Sequence, residues 1–131
     1  MFVDIQILNT LAFAFDKKGY SLTKSGRPQQ ALKFNDKAVA LNDDDAICHV
    51  NRSFTLGGLG RYEESLEECE KALSIDPNYS QAWNNKGYDL HRLGKSDEGL
   101  KNVEKALELD PTNENAQDSK EQILDALGRT D

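Results

Sequence analysis

Two histidines, His49 and His91, and two cysteines, Cys48 and Cys69, are the residues of this 131-residue chain best suited to metal, nucleophilic or redox chemistry. Their placement favours none of the three. A metal site needs several ligands at short, defined spacings, and His91 has no His or Cys at such a distance, while His49 stands where a large packed ring is expected. The cysteines are too few for a disulfide framework and read as ordinary buried thiols of a chain kept in a reducing compartment. Gly57-Gly58-Leu59-Gly60 lacks the preceding strand and the following Lys-Ser/Thr of a phosphate-cradling loop, so it reads as a loose helix end. The acidic runs Asp43-Asp44-Asp45 and Glu63-Glu64 fall at helix N-termini, where they oppose the positive end of the dipole. On solvated helix faces such carboxylates keep ordinary pKa values, and no enclosed acid/base pair is expected. Asn51-Arg52-Ser53 and Asn78-Tyr79-Ser80 fit the glycosylation pattern without a secretory signal, and are read as accidental. Turnover requires a positioned acid, base, nucleophile or cofactor. The expectation is no enzyme, no cofactor and no metal.

The elements that carry these residues follow from composition and period. The length suits one cooperative domain. Sixteen Lys and Arg against 23 Asp and Glu give a formal charge of −7, which repels phosphate backbones and anionic lipid, so neither nucleic acid nor membrane is expected as a partner. The apolar start, MFVDIQILNTLAFAF, has no basic leader region and is interrupted by Asp4, Gln6 and Asn9, so it reads as neither signal peptide nor span. Residues 15–22, FDKKGYSL, and 83–90, WNNKGYDL, share a pattern that HVNRSFTL at 49–56 keeps in blurred form, and the interval is 34 residues, twice. In that register a ring column holds Phe15, His49 and Trp83, small columns hold Gly19, Ser53, Gly87 and Ala31, Ser65, Gly99, and a leucine column holds Leu22, Leu56, Leu90. Gly26, Gly60, Gly94 and Gly128 recur, as do Ala38, Ala72, Ala106 and, at the block end, Asp43, Pro77, Pro111. Apolar spacing within a block is helical, as in Tyr62, Leu66, Cys69, Leu73. The mid-block glycine ends a first helix in left-handed backbone, and a second begins beyond it with Pro28 in a first turn and Ser96 as N-cap. Asp76-Pro77 and Asp110-Pro111 stop the second helices, and Asn42-Asp43-Asp44-Asp45 does the same work in the first block. Lys18, Arg52, Lys86 and Lys120 form a basic column whose stems pack while the tips reach water or acidic neighbours, with a functional ladder as the alternative.

This period and these columns resemble the tetratricopeptide repeat, whose pattern block three meets at Trp83, Gly87 and Pro111 and leaves at Lys86, Leu90, Gly99 and Val103. The resemblance implies an all-α fold, an α-solenoid of antiparallel helix hairpins stacked in a right-handed superhelix, with about seven helices. The expected divisions are an apolar segment 1–11 (an extension of the first helix or the remnant of a preceding repeat), repeats 12–45, 46–79 and 80–113, and a capping helix and tail at 114–131. A second stripe on each first helix, at i, i+3, i+4, i+7 and i+11, holds Phe13, Asp16, Lys17, Tyr20, Lys24, then Ile47, Val50, Asn51, Phe54, Gly58, then Gln81, Asn84, Asn85, Tyr88, Arg92. The resemblance implies that this stripe lines a concave groove in which such proteins hold peptides. Rings at Tyr20, Phe54 and Tyr88 beside amides suit an extended chain or short helix; the competing reading is that these rings only pack between neighbouring helices. Co-chaperones of the family that grip chaperone C-terminal carboxylates carry Lys, Asn, Asn, Lys and Arg at the positions of Asp16, Tyr20, Asn51, Gln81 and Asn85. Only Asn51 agrees, so no such clamp is expected. The leading expectation is a cytoplasmic, non-catalytic adaptor for a protein or peptide partner; the alternative is a homodimer through residues 1–11, where Phe2, Val3, Ile5, Ile7 and Leu8 would meet a second copy.

Overall fold

The computed structural model describes residues 4–129; residues 1–3, with Phe2 and Val3 of the apolar segment, and residues 130–131 of the tail lie outside the described residues. Among the described residues there are seven α-helices and no strand: α1 (Ile5–Lys24), α2 (Pro28–Leu41), α3 (Ala46–Gly58), α4 (Tyr62–Ile75), α5 (Ser80–Arg92), α6 (Ser96–Leu109) and α7 (Glu114–Ala126). Of the apolar segment, residues 5–11 run without a break into α1.

One turn is used four times. After α1, α3, α5 and α7 the chain passes through Gly26, Gly60, Gly94 and Gly128 at φ 79°, 75°, 87° and 70°, a region closed to most side chains. The following residue then donates its N–H back to the leucine column: Arg27 to Leu22, Arg61 to Leu56, Lys95 to Leu90 and Arg129 to Leu124, at 2.8–2.9 Å. Each bond satisfies a helix-end carbonyl as in a Schellman motif. After α1, α3 and α5 that donor, Arg27, Arg61 or Lys95, is itself the N-cap of the next helix, and its side chain makes no capping hydrogen bond. The N-cap of α6 is therefore Lys95, and Ser96, expected there, lies in the first turn with its Oγ 2.8 Å from His91 Nδ1. The longer inter-block turns do allow capping: Asp45 and Asn113 accept from Ile47 N and Ala116 N.

Within a hairpin the small columns set the approach. A Cβ on Gly99 would lie 2.5 Å from Gly87 O, and one on Gly87 2.6 Å from Gly99 O, so α5 and α6 touch backbone to backbone. Between hairpins, α1, α3, α5 and α7 pack successively on one another, while α2, α4 and α6 each pack against the first helix on either side. The odd-numbered helices thus form a continuous layer. Trp83 joins two apolar clusters, Ala46, Val50, Ala72, Leu73, Ala82 on one side and Leu100, Val103, Ala106, Ala116, Ile123, Leu124 on the other. Its indole N–H donates to Pro77 O at 2.8 Å.

Candidate functional site

The odd-helix layer encloses a cleft of about 600 Å³. Of the stripe residues, Tyr20, Lys24, Val50, Asn51, Phe54, Gln81, Asn84, Asn85 and Tyr88 line it, together with Gly58. Five lie elsewhere. Phe13 is exposed on α1 upstream of the cleft with Lys17 Nζ 5.4 Å over its ring. Ile47 sits on the rim of a shallow depression beside Ile75, Asp76 and Tyr79. Arg92 turns aside, donating from Nε to Tyr62 OH at 3.1 Å. Asp16 points into the α1–α3 interior, 3 % exposed, with no hydrogen-bond partner at Oδ1. Burial pushes its carboxyl up to about 6, against a hydrogen bond from Asn51. Asp16, expected in the groove stripe, is therefore a buried carboxyl that does not line the cleft.

The rings form no single ladder. Tyr20 and Phe54 are in contact at 5.7 Å between centroids, whereas Tyr88 meets Tyr62 of α4 at 6.5 Å. Tyr20 and Phe54 pack together, and each keeps more than a third of its surface open, at 40 % and 37 %. Between them and α7 runs a chain of amides. Asn85 Nδ2 donates to Ser53 Oγ at 2.8 Å, Gln81 Nε2 to Asn85 Oδ1 at 2.7 Å, and Asn115 Nδ2 to Gln81 Oε1 at 3.3 Å. Asn84 is 4 % exposed with Oδ1 unpartnered.

Sequence reasoning missed the α7 wall, Asn115, Asp118, Ser119 and Gln122. The signal was present, since these are the 34-residue successors of Gln81, Asn84, Asn85 and Tyr88, but α7 read only as a cap. It also missed Ser53, Gly57, Tyr79 and Asp89. Asp89 is 2 % exposed; burial raises its carboxyl to about 7 despite hydrogen bonds from Ser65 and Cys69.

The histidine with chemical potential is in the wall and not in the cleft. His49 is 4 % exposed, with Nδ1 2.7 Å from Glu68 Oε2 and Nε2 2.7 Å from Asp43 O. The Glu68 hydrogen bond raises its pKa. Burial raises that of Glu68, but bonds from His49 and Lys71 and the Arg52 charge outweigh it and hold the carboxyl at about 2. Arg52 reaches Glu68 and Asp36, and Lys86 reaches Glu70 at 2.7 Å. Arg52 and Lys86 of the basic column thus bridge each hairpin to the acid of the one before. The thiols of Cys48 and Cys69 are buried, with burial pushing Cys48 up to about 12 and Cys69 upward as well, which leaves them poor nucleophiles. No group of three or more His, Cys, Asp or Glu side chains able to hold a metal occurs among the described residues, and no described helix is long and apolar enough to cross a membrane.

Hairpins in one register, glycine turns and a lined inner layer define an all-α solenoid. The chain belongs to the tetratricopeptide repeat family, whose models match residues 46–79 and 80–113. Among similar solved structures is the first TPR of Spaghetti (RPAP3) bound to HSP90 peptide SRMEEVD, at 24 % identity and TM-score 0.80, covering 92 % of this chain and 95 % of that one. The second TPR domain of human RPAP3, in complex with HSP70 peptide SGPTIEEVD, matches at 24 % identity and TM-score 0.76, covering 92 % and 98 %. The Arabidopsis OM64 TPR domain matches at 23 % identity and TM-score 0.79, covering 88 % and 96 %. These likenesses concern the fold. No curated protein matches this chain significantly.

Proposed function

We propose that this protein is a non-catalytic, cytoplasmic adaptor that holds an extended segment of a partner protein in the cleft of its odd-helix layer. The observation that carries this reading is the cleft lining: half-open rings at Tyr20, Phe54 and Tyr88 beside Asn51, Gln81, Asn84, Asn85, Asn115 and Gln122. An amide both donates and accepts, as a peptide backbone does, while rings supply apolar contact without a charge requirement. Peptide binding by the similar RPAP3 domains supports the same use of the fold. Selection of a random nonapeptide library on the full chain is the direct test, followed by fluorescence anisotropy of an enriched peptide. Replacing Tyr20, Phe54 and Tyr88 with Ala should weaken that peptide at least tenfold while helical circular dichroism persists; unchanged affinity rejects the cleft.

Acidic chaperone tails are a poor fit. Asp16 is buried, Gln81 and Asn85 are hydrogen-bonded to each other, and the cleft carries Asp89 and Asp118. Peptide SRMEEVD is expected to show no saturable anisotropy; micromolar binding abolished by Asn51→Ala would overturn this. A second reading, self-association, is favoured by Ile5, Ile7, Leu11 and Phe13 on α1, exposed by 70, 55, 44 and 61 %. The occupant would be a second copy, and sedimentation that stays monomeric at every concentration would remove it.

A further inference from the structure

The joints between odd helices differ at one register. Thr23 of α1 and Thr55 of α3 close the first joint with a buried 2.7 Å hydroxyl contact. Their successors 34 residues on are Gly57 and Asp89. Gly57 has no side chain to fill the place of Thr23, and a Cβ built there would lie 3.6 Å from Asp89 Oδ1. Both residues line the cleft, so the second joint opens into it over a carboxylate. Asp89 Oδ2 has a thiol contact at 3.9 Å from Cys69, a weak donor. Further along the cleft are two more acceptors, the unpartnered Asn84 Oδ1 and the Asp118 carboxylate. Against two carboxylates the described lining holds one cation, Lys24, whose Nζ lies over the Tyr20 ring at 5.7 Å.

We infer that the segment held in this cleft carries a basic residue, whose Lys or Arg side chain enters over Gly57 to reach Asp89. This rests on the peptide-binding reading of the cleft and adds the chemistry of its occupant. The aliphatic stem of such a side chain suits the Phe54 and Tyr88 rings of the same lining. A buried carboxylate whose donors are a thiol and the Ser65 hydroxyl, which also donates to Ser53 O at 2.9 Å, gains from a cation that arrives with its own hydrogen bonds. The groups around Asp89 are the Cys69 thiol and Ser65 hydroxyl from α4, bare Gly57 from α3, and across the cleft Lys24 of α1 and Asp118 of α7. With its carboxyl raised to about 7, Asp89 gains charge between pH 6 and pH 8, and a cationic occupant binds more tightly over that interval.

The test uses random nonapeptides displayed against the full chain. Enriched sequences are expected to share a Lys or Arg at one position, and changing that residue to Gln in the synthetic peptide should weaken binding at least tenfold by anisotropy. Asp89→Asn should produce a similar loss and remove the tightening from pH 6 to pH 8. Gly57→Thr, which restores the first joint's side chain, should do the same by filling the entrance. Misfolding of that variant would not rescue the idea, because the peptide substitution leaves the protein untouched. Binders without a common basic residue, or basic binders indifferent to Asp89→Asn at every pH, overturn the cation site and leave the peptide groove standing. Recovery of no binders overturns both.

Discussion

Two hairpins of this molecule share a backbone plan and differ in what fills them. At the ring column and the position 19 residues on, the first hairpin has Phe15 and Phe34, tilted at 6.2 Å between centroids with Lys37 over both rings. The second has His49 and Glu68 joined at 2.7 Å, with Lys71, the successor of Lys37, on the carboxylate at 3.1 Å. An aromatic pair capped by a cation and an ion pair capped by a cation occupy equivalent space. The fold therefore asks these columns for volume and satisfied polar atoms, whereas the small columns and turn glycines are asked for particular geometry. Ionic filling also makes the second hairpin answer to pH, which the ring pair of the first does not.

The largest effect should come from breaking the ionic filling one-sidedly. Glu68→Ala leaves His49 and Arg52 facing a buried gap and should lower stability by about 3 to 5 kcal/mol in urea unfolding. Next comes the geometric demand: Gly99→Ala puts a methyl 2.5 Å from Gly87 O, and overpacking of this kind costs about 1 to 3 kcal/mol. A small loss would mean that α5 and α6 can separate without penalty. The double variant His49→Phe, Glu68→Phe sharpens the comparison by giving the second hairpin the first one's rings. Its stability near pH 6 should stay within about 2 kcal/mol of the parent, since a buried pair exchanged for packed apolar groups is often neutral.

The pH dependence of that same difference has a defined sign. His49, raised above 6.5, contributes stability below that value, lost as pH rises through its folded pKa. Glu68, lowered from 4.5 to about 2, contributes above 4.5 and loses it as pH falls toward 2. Parent minus double variant should therefore peak between pH 4.5 and 6.5 and fall on both sides; a flat profile in chemical denaturation would show that the ion pair is not coupled to folding. The smallest effect is expected at Gly57→Ala, near the end of α3, where the added methyl meets Asp89 at ordinary contact distance. Replacing a helical glycine there should leave the melting temperature unchanged or raise stability by about 0.5 kcal/mol.

Much of the architecture was legible in the letters. The 34-residue register, the glycine turns and the leucine column each express a local rule, because a helix end needs left-handed backbone and a carbonyl partner whatever surrounds it. His49 as a packed, hydrogen-bonded ring was legible too, from its column alone. Asp16, Glu68 and Asp89 were not. In one dimension they are carboxylates on amphipathic helices, and only the stacking of neighbours buries each to 3 % exposure or less. Ser96 was misplaced for a related reason: its role depended on how many residues the preceding turn consumed.

The sequence by itself determined that this chain folds as helical hairpins repeating in one register, since period, turn chemistry and small-residue columns act over a few residues at a time. Which face opens, where α7 completes a wall, and which carboxylates lose their water were decided only when the odd helices met. Solvation and shape belong to pairs of surfaces, and a surface exists only after packing.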